Sequence, residues 1–318
     1  MSNNQRQINL LFLGGAKRVS MARKFKAAAG RLGHECNIYS YELDTREAIA
    51  CEATVIKGLR WKDTGVDADL RRICQEKGIC AIIPFVDGAV EVAARLNDIA
   101  FVPACTPGLA AKMFDKVEAA VLFEQLGLPV PRTYQPGMPC LRLIAKPRRG
   151  SASKGIVEIH SLEQIDRLPG KPEDYLIQER IDNREEYTVD CYVNVNDGTP
   201  LAICPRQRLE VSGGEVTKTV SVESPEIVSL SRKVLAGTKL RGAVTIQFMR
   251  DTDDGRLLLM EINPRLGGGA VCSVAAGADI TELILRQALG MPVKPVDYTR
   301  GVTMARYPED VVFYPEKK

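Results

Sequence analysis

The chain has 318 residues, 45% of them apolar and 26% charged, with a net charge of +3. That length supports more than one hydrophobic core, and the composition excludes a disordered chain. So small a charge, with the basic residues spread along the chain, excludes an electrostatic nucleic-acid footprint.

Residues 8–13 form an apolar run of strand length, too short for a signal h-region or a membrane span and without a basic n-region or cleavage site. Gly14-Gly15 then turns the chain into a helix over 19–32 that Gly33 ends. A second strand is expected at 35–41, a helix at 69–77 closed by Gly78, a buried strand at 79–85 and a helix at 88–96. This alternation predicts a doubly wound parallel sheet, with ligands approaching the carboxyl ends of its strands. The run Gly14-Gly15-Ala16-Lys17-Arg18 lacks the full GxGxxG fingerprint, so a tight strand-to-helix turn is favoured over a nicotinamide site.

Pro103, Pro107 and Gly108 mark a boundary, after which a helix is expected over 109–126, closed by Gly127. Strands follow at 142–147, 156–159, 175–179 and 186–193, then a helix from Pro225 to about 240. Strands at 243–250 and 256–263 pair around a turn at 251–255, and a last helix begins near Asp279. The segment 303–318, with Met304, Tyr307 and Phe313, is expected only to pack against the last domain. Nine cysteines without a CxxC spacing read as reduced core thiols of a cytoplasmic protein. His34 and His160, the only histidines, lie too far apart in sequence to suggest a triad or metal site.

Three stretches carry chemistry. In the 243–263 pair, period-two alternation puts Leu258, Met260 and Ile262 on one face and Glu261 and Asn263 on the other, with Gln247 beside them across the hairpin. Oxygen-bearing side chains on a rigid sheet suit Mg²⁺, a hard cation. Pro264, Arg265 and Gly267-Gly268-Gly269 follow directly. The second stretch is Ile144–Ile156: Lys146 ends a strand and a small-residue loop runs from Gly150 to Gly155, able to lay N–H groups over phosphates but unlike a Walker A loop. Alone it reads better as a basic hairpin tip. The third is Leu176–Val193, where Glu186, Thr188 and Asp190 share one strand face, and Gln178–Ile181 offers an extended edge suited to an adenine ring.

Taken in order, Asp115-Lys116, Lys146-Pro147 with the glycine loop, Gln178-Glu179-Arg180-Ile181, Glu185-Glu186-Tyr187-Thr188-Val189-Asp190, and Gln247 with Glu261-Ile262-Asn263-Pro264-Arg265 resemble the ATP-grasp superfamily. The likeness is greatest to its carbamoyl phosphate synthase large-chain branch, though this chain has room for a single ATP-grasp unit. The resemblance implies an α/β front domain (1–106, a doubly wound parallel sheet), then a two-lobed α+β ATP-grasp fold: a small lobe with a glycine-rich lid (107–181) and a large lobe with the metal site (182–318).

It further implies ATP held by Lys116, Lys146 and the lid residues Gly150, Ser151, Ser153 and Gly155, with Glu179 and the backbone of Ile181 on adenine and Glu186 on the ribose. Gln247, Glu261 and Asn263 would bind one or two Mg²⁺ ions, with Mn²⁺ as a substitute, and Arg265 and Lys146 would act in catalysis. The implied reaction is ATP-dependent phosphorylation of a small carboxylate to an acyl phosphate that an amine attacks. A homodimer is the superfamily's precedent, and neither nucleic acid nor membrane is an expected partner. Two departures, Lys116 and Lys146 in place of arginines and Gly268 in place of an arginine, weigh against a bicarbonate pocket. Carbamoyl phosphate synthesis from bicarbonate and ammonia, a non-catalytic ATP-binding module and a dinucleotide-dependent oxidoreductase are the alternatives.

Overall fold

The computed structural model describes residues 6–138, 142–150 and 154–315. At its front, β1 (Arg6–Leu13), β2 (His34–Glu42), β3 (Thr54–Lys57) and β4 (Ile79–Pro84) form a parallel sheet in the order β3-β2-β1-β4. Helices α1 (Val19–Arg31), α2 (Val66–Lys77) and α3 (Asp87–Ala94) connect and cover it. Alternation along β1 divides its side chains between two cores. Leu10 and Phe12 pack with Met21 and Phe25 of α1, while Leu11 and Leu13 pack with Leu70 and Ile73 of α2. Each such fully buried side chain contributes about 1.5–3 kcal/mol. Gly78 closes α2 in the left-handed conformation (φ 56°), which costs glycine nothing.

The helix expected over 109–126 is two helices, α4 (Pro107–Phe114) and α5 (Lys116–Gln125). Asp115 breaks them because its carboxylate accepts from the N–H groups of Val117 and Glu118, starting a new helix instead of continuing the old one. Both helices pack in one core with Val189, Ile246 and Leu259, so by packing they go with the large sheet. The small sheet, β6-β5-β7, joins β5 (Leu143–Pro147), β6 (Val157–Ile159) and β7 (Tyr175–Glu179) around a minor core of Leu143, Ala145, Ile159, Leu168 and Ile177.

The large sheet has the order β12-β11-β8-β9-β10-β13. Its strands are β8 (Arg184–Val193), β9 (Pro200–Ser212), β10 (Glu215–Ser221), β11 (Gly242–Asp251), β12 (Leu257–Asn263) and β13 (Thr303–Ala305). Helix α6 (Pro225–Thr238) joins β10 to β11, and α7 (Ala270–Ala275) and α8 (Ile280–Ala288) follow β12. The tail thus does more than pack: β13 adds the edge strand beside β10.

Strict alternation fails in β12. Gln247 pairs with Glu261 but Phe248 pairs with Leu259, so Met260 is the extra residue of a bulge. Leu258 and Met260 therefore lie with Ile181 and Met249, whereas Ile262 stays in the opposite core. Among the described residues, all cysteines are free, most of them buried, and no helix is long and apolar enough to cross a membrane.

Candidate functional site

The cleft between the two sheets and the front domain encloses about 1170 Å³. Its floor follows from strand register. One lateral row across the large sheet runs Arg206, Thr188, Gln247, Glu261, and the next runs Cys204, Asp190, Thr245, Asn263. Glu186, Thr188 and Asp190 share one face as expected, while Val189, Cys191 and Val193 turn into the core behind.

The hairpin brings Gln247, Glu261 and Asn263 together. One Glu261 oxygen accepts from the side-chain amides of Gln247 (2.8 Å) and Asn263 (3.0 Å). Their amide oxygens in turn accept from Arg208 (3.3 Å) and Arg265 (3.2 Å). Among the described residues no cluster of three or more His, Cys, Asp or Glu could hold a metal ion, so a cation here has one carboxylate and two amides to use. That oxygen set, completed by nucleotide phosphates, fits a hard dication such as Mg²⁺.

Lys146 reaches the cleft from the end of β5 and donates to Gln178 Oε1 at 3.2 Å. Burial lowers the pKa of its ammonium to about 8; Glu261 and Glu186 pull it up, and Lys116 and Arg184 push it down further. Lys116, the first residue of α5, donates to the carbonyl of Gly150 at 2.8 Å. Gly150 and Gly155 both have positive φ, and a Cβ at Gly155 would meet Pro147 at 3.0 Å, so the loop's ends need glycine. Ser151 and Ser153 lie outside the described residues.

Glu186 lines the cleft, bound to Arg184 Nε and Arg208 Nη1, each at 3.1 Å. Ile181 lines it as well, its carbonyl accepting from Arg184 at 2.7 Å. The expectation for the Glu179 side chain needs correcting. On β7 it is Leu176 and Gln178 that face the cleft, and alternation turns the Glu179 carboxylate to the other side, onto the Arg132 N–H (3.0 Å) and Arg256 (2.8 Å). Gln178 lines the cleft instead, accepting from Lys146 and donating to the Pro131 carbonyl at 3.1 Å.

Arg265 donates to Asp87 Oδ1 at 2.6 Å, tying the front domain to the floor. Asp87, Arg18, Arg208 and Arg306 were not singled out from sequence as site residues, because their convergence is tertiary. The glycine turn of the front domain holds no vacant phosphate nest. A Cβ at Gly14 would lie 2.6 Å from Val86, and the buried Glu42 carboxylate, which accepts from Ser40 Oγ at 2.6 Å, lies beside the Gly15 and Ala16 backbone. An acid in that position repels a pyrophosphate, which argues against the nicotinamide reading.

A family model described as "ATP-grasp in the biosynthetic pathway with Ter operon" matches residues 171–309. The carbamoyl phosphate synthase large chain of Bifidobacterium animalis subsp. lactis is 24% identical over 178 residues, which is 50% of this chain and 16% of that protein. The chain thus spans about one sixth of the length of such relatives. Among solved structures, the ADP complex of N5-carboxyaminoimidazole ribonucleotide synthetase superposes with a TM-score of 0.73 at 14% identity, over 95% of this chain and 82% of the other. The L-amino acid ligase of Bacillus licheniformis gives 0.69 at 15% identity, over 92% and 76%. The fold is that of the ATP-grasp proteins, and the likeness to carbamoyl phosphate synthase large chains read from the motifs holds in the comparisons.

Proposed function

We propose that this protein is an ATP-dependent carboxylate ligase, forming an acyl phosphate that an amine then attacks to give a carbon–nitrogen bond and ADP. The observation that carries the reading is the meeting, across one cleft, of the Gln247–Glu261–Asn263 cluster, Arg265 and two lysines, Lys116 and Lys146. Little covalent help is needed for phosphoryl transfer; positioned cations do most of the work.

In this reading Ile181, Met249, Leu258 and Met260 make the apolar platform for adenine, joined by the backbone at Ile181. Methionine sulfur against an aromatic ring is a favourable contact. Glu186 takes the ribose hydroxyls. Lys146 and Lys116 take phosphates, and Lys116 brings the glycine loop with it through Gly150. Mg²⁺ held by Glu261, Asn263 and Gln247 would neutralise phosphate charge. Arg265, held in place by Asp87, stabilises charge on the transferring phosphoryl group. Closure of the loop excludes water from the acyl phosphate.

The carbamoyl phosphate alternative has the curated relatives in its favour. Against it, Gly268 stands where those synthases place an arginine, and the space above it is taken by Arg18 and Arg306 from other elements. The test is ADP release with ATP and Mg²⁺ over a panel of carboxylates, amino acids and bicarbonate, each with and without ammonia or an amine. Stimulation by one carboxylate–amine pair is the expected result, and bicarbonate plus ammonia would select the alternative. Nucleotide binding with no stimulated release by any pair would overturn the ligase reading in favour of a non-catalytic module.

A further inference from the structure

On the wall beyond Arg265, one cation is held by no more than a long ion pair. Arg18 precedes α1, its side chain 16% exposed, and lines the cleft. A guanidinium carries five N–H donors in a fixed fork. Among the described residues none accepts a hydrogen bond from it. Its nearest carboxylate oxygen, on Glu215, is 3.7 Å away, and the other oxygen of Glu215 is bound by Arg306 at 2.5 Å.

The same wall supplies the contrast. Arg206 is also enclosed, but Asp190 accepts from its Nε at 2.7 Å and Thr219 lies 3.5 Å from its Nη1. A desolvated charge whose N–H donors make no hydrogen bond is costly, and an anion brought by a ligand reduces that cost. Neighbouring charge sharpens the need: burial lowers the pKa of Arg18, and Arg265 and Arg306 lower it further against the pull of Glu215. Arg18, Arg265 and Gly268 line the same cleft, and the bare glycine lets the guanidinium sit there uncrowded. A Cβ at Gly268 would sit 3.0 Å from Arg18 Nη1, and the Gly268 carbonyl is fixed by Arg306 at 2.8 Å.

We propose that Arg18, with Arg306 beside it, receives a second anionic group of the substrate, so that the carboxylate activated near Arg265 belongs to a dianion, either a dicarboxylate or a carboxylate bearing a phosphate. The assignment of the reacting end rests on the ligase reading; the anion site itself does not. Nucleotide phosphates are met by Lys116 and Lys146 on the opposite, lid side, which leaves Arg18 for the substrate.

The experiment titrates acetate, succinate and 3-phosphoglycerate into protein saturated with Mg²⁺ and a non-hydrolysable ATP analogue, by calorimetry. One dianion is expected to bind at least ~10-fold tighter than acetate, and Arg18→Gln to remove about 10- to 100-fold of that, the range for charge-assisted hydrogen bonds. Arg18→Lys should restore part of the loss, and affinity for the ATP analogue should be unchanged. Succinate against 3-phosphoglycerate decides between carboxylate and phosphate. Equal binding of all three anions, a preference that survives Arg18→Gln, or a loss of analogue affinity in that variant would overturn the assignment. If the analogue itself does not bind, the ligase reading fails; the same titrations without it still score Arg18. Should Arg18→Gln not fold, Gly268→Val, which fills the space before Arg18, is expected to abolish the dianion preference alone.

Discussion

Asp190 and Glu261 hang from the same face of the large sheet, two strands apart, and differ in almost everything else. Asp190 is 1% exposed, and its two oxygens are taken up by Arg206 (2.7 Å), Ser273 (2.6 Å) and a longer second contact with Arg206. Gly269 packs so closely on this pair that a Cβ there would fall 2.6 Å from the Arg206 guanidinium. Glu261 is half-buried at the open end of the same sheet, and one of its oxygens collects both amides. The first carboxylate is closed off and holds the glycine run in place; the second keeps capacity for a ligand. A carboxylate in a polar lateral row is therefore structural or functional according to whether its last acceptor sites are filled from within.

The largest expected effect breaks the closed pair. Asp190→Ala leaves Arg206 buried without a counter-charge and should cost about 3–5 kcal/mol in denaturant-induced unfolding. A loss below about 1 kcal/mol would show that Asp190 is not the closed member of the comparison. Next, Glu261→Gln should reduce Mg²⁺-dependent ADP release by about 10²–10³-fold while unfolding free energy stays within about 1 kcal/mol of wild type. Unchanged turnover removes Glu261 from the metal site. Third, Arg265→Ala should lower kcat by ~10²-fold and nucleotide affinity much less; equal losses in both would assign it a ground-state role.

The smallest effect concerns pH. Phosphate favours the charged form of Lys146, whose pKa in the free protein is lowered to about 8, so nucleotide binding should draw a proton near that pH. Below pH 8 the ammonium is already charged and affinity is flat. Above it the proton must be taken up, and affinity should fall about tenfold between pH 7 and 9 if binding restores an ordinary lysine pKa. Calorimetry in buffers of different ionisation enthalpy measures the uptake, and Lys146→Met should lose the slope. The sign for folding is the opposite: the depressed pKa makes the charged fold less stable, so this residue's unfavourable contribution fades as pH rises from about 8 to the unfolded value.

Residues 244–263 were legible because a strand's period and a short turn fix which side chains meet, and Gln247, Glu261 and Asn263 do meet. The bulge at Met260 was not, since nothing local marks an extra residue until a partner strand is present. Glu179 shows the limit of motif transfer: the peptide runs where expected, but one step of alternation aims its carboxylate at Arg256. Strand β9 was passed over because its burial shifts along its length, from Leu201–Arg206 inside to exposed residues near Ser212. Arg18, Asp87 and Arg306 could not be found by pattern at all. Each comes from a different element, and only packing of the front domain and tail onto the sheet brings them to Arg265 and Gly268.

The short strand β13 pairs with β10 from Lys218↔Ala305 to Val220↔Thr303 and then delivers Arg306 to the cleft. A position on an edge strand tolerates change far better than one between two neighbours. In evolutionary terms the two sides of the cleft are then unequally free to drift. The proposed nucleotide side draws on β8, β11 and β12, where a substitution disturbs paired strands and the core behind them. The proposed substrate side takes one of its cations, Arg306, from just beyond the strand at the sheet's margin. If the anion proposal holds, a lineage can retune what the protein accepts by altering one position beside that margin, leaving the proposed nucleotide contacts untouched.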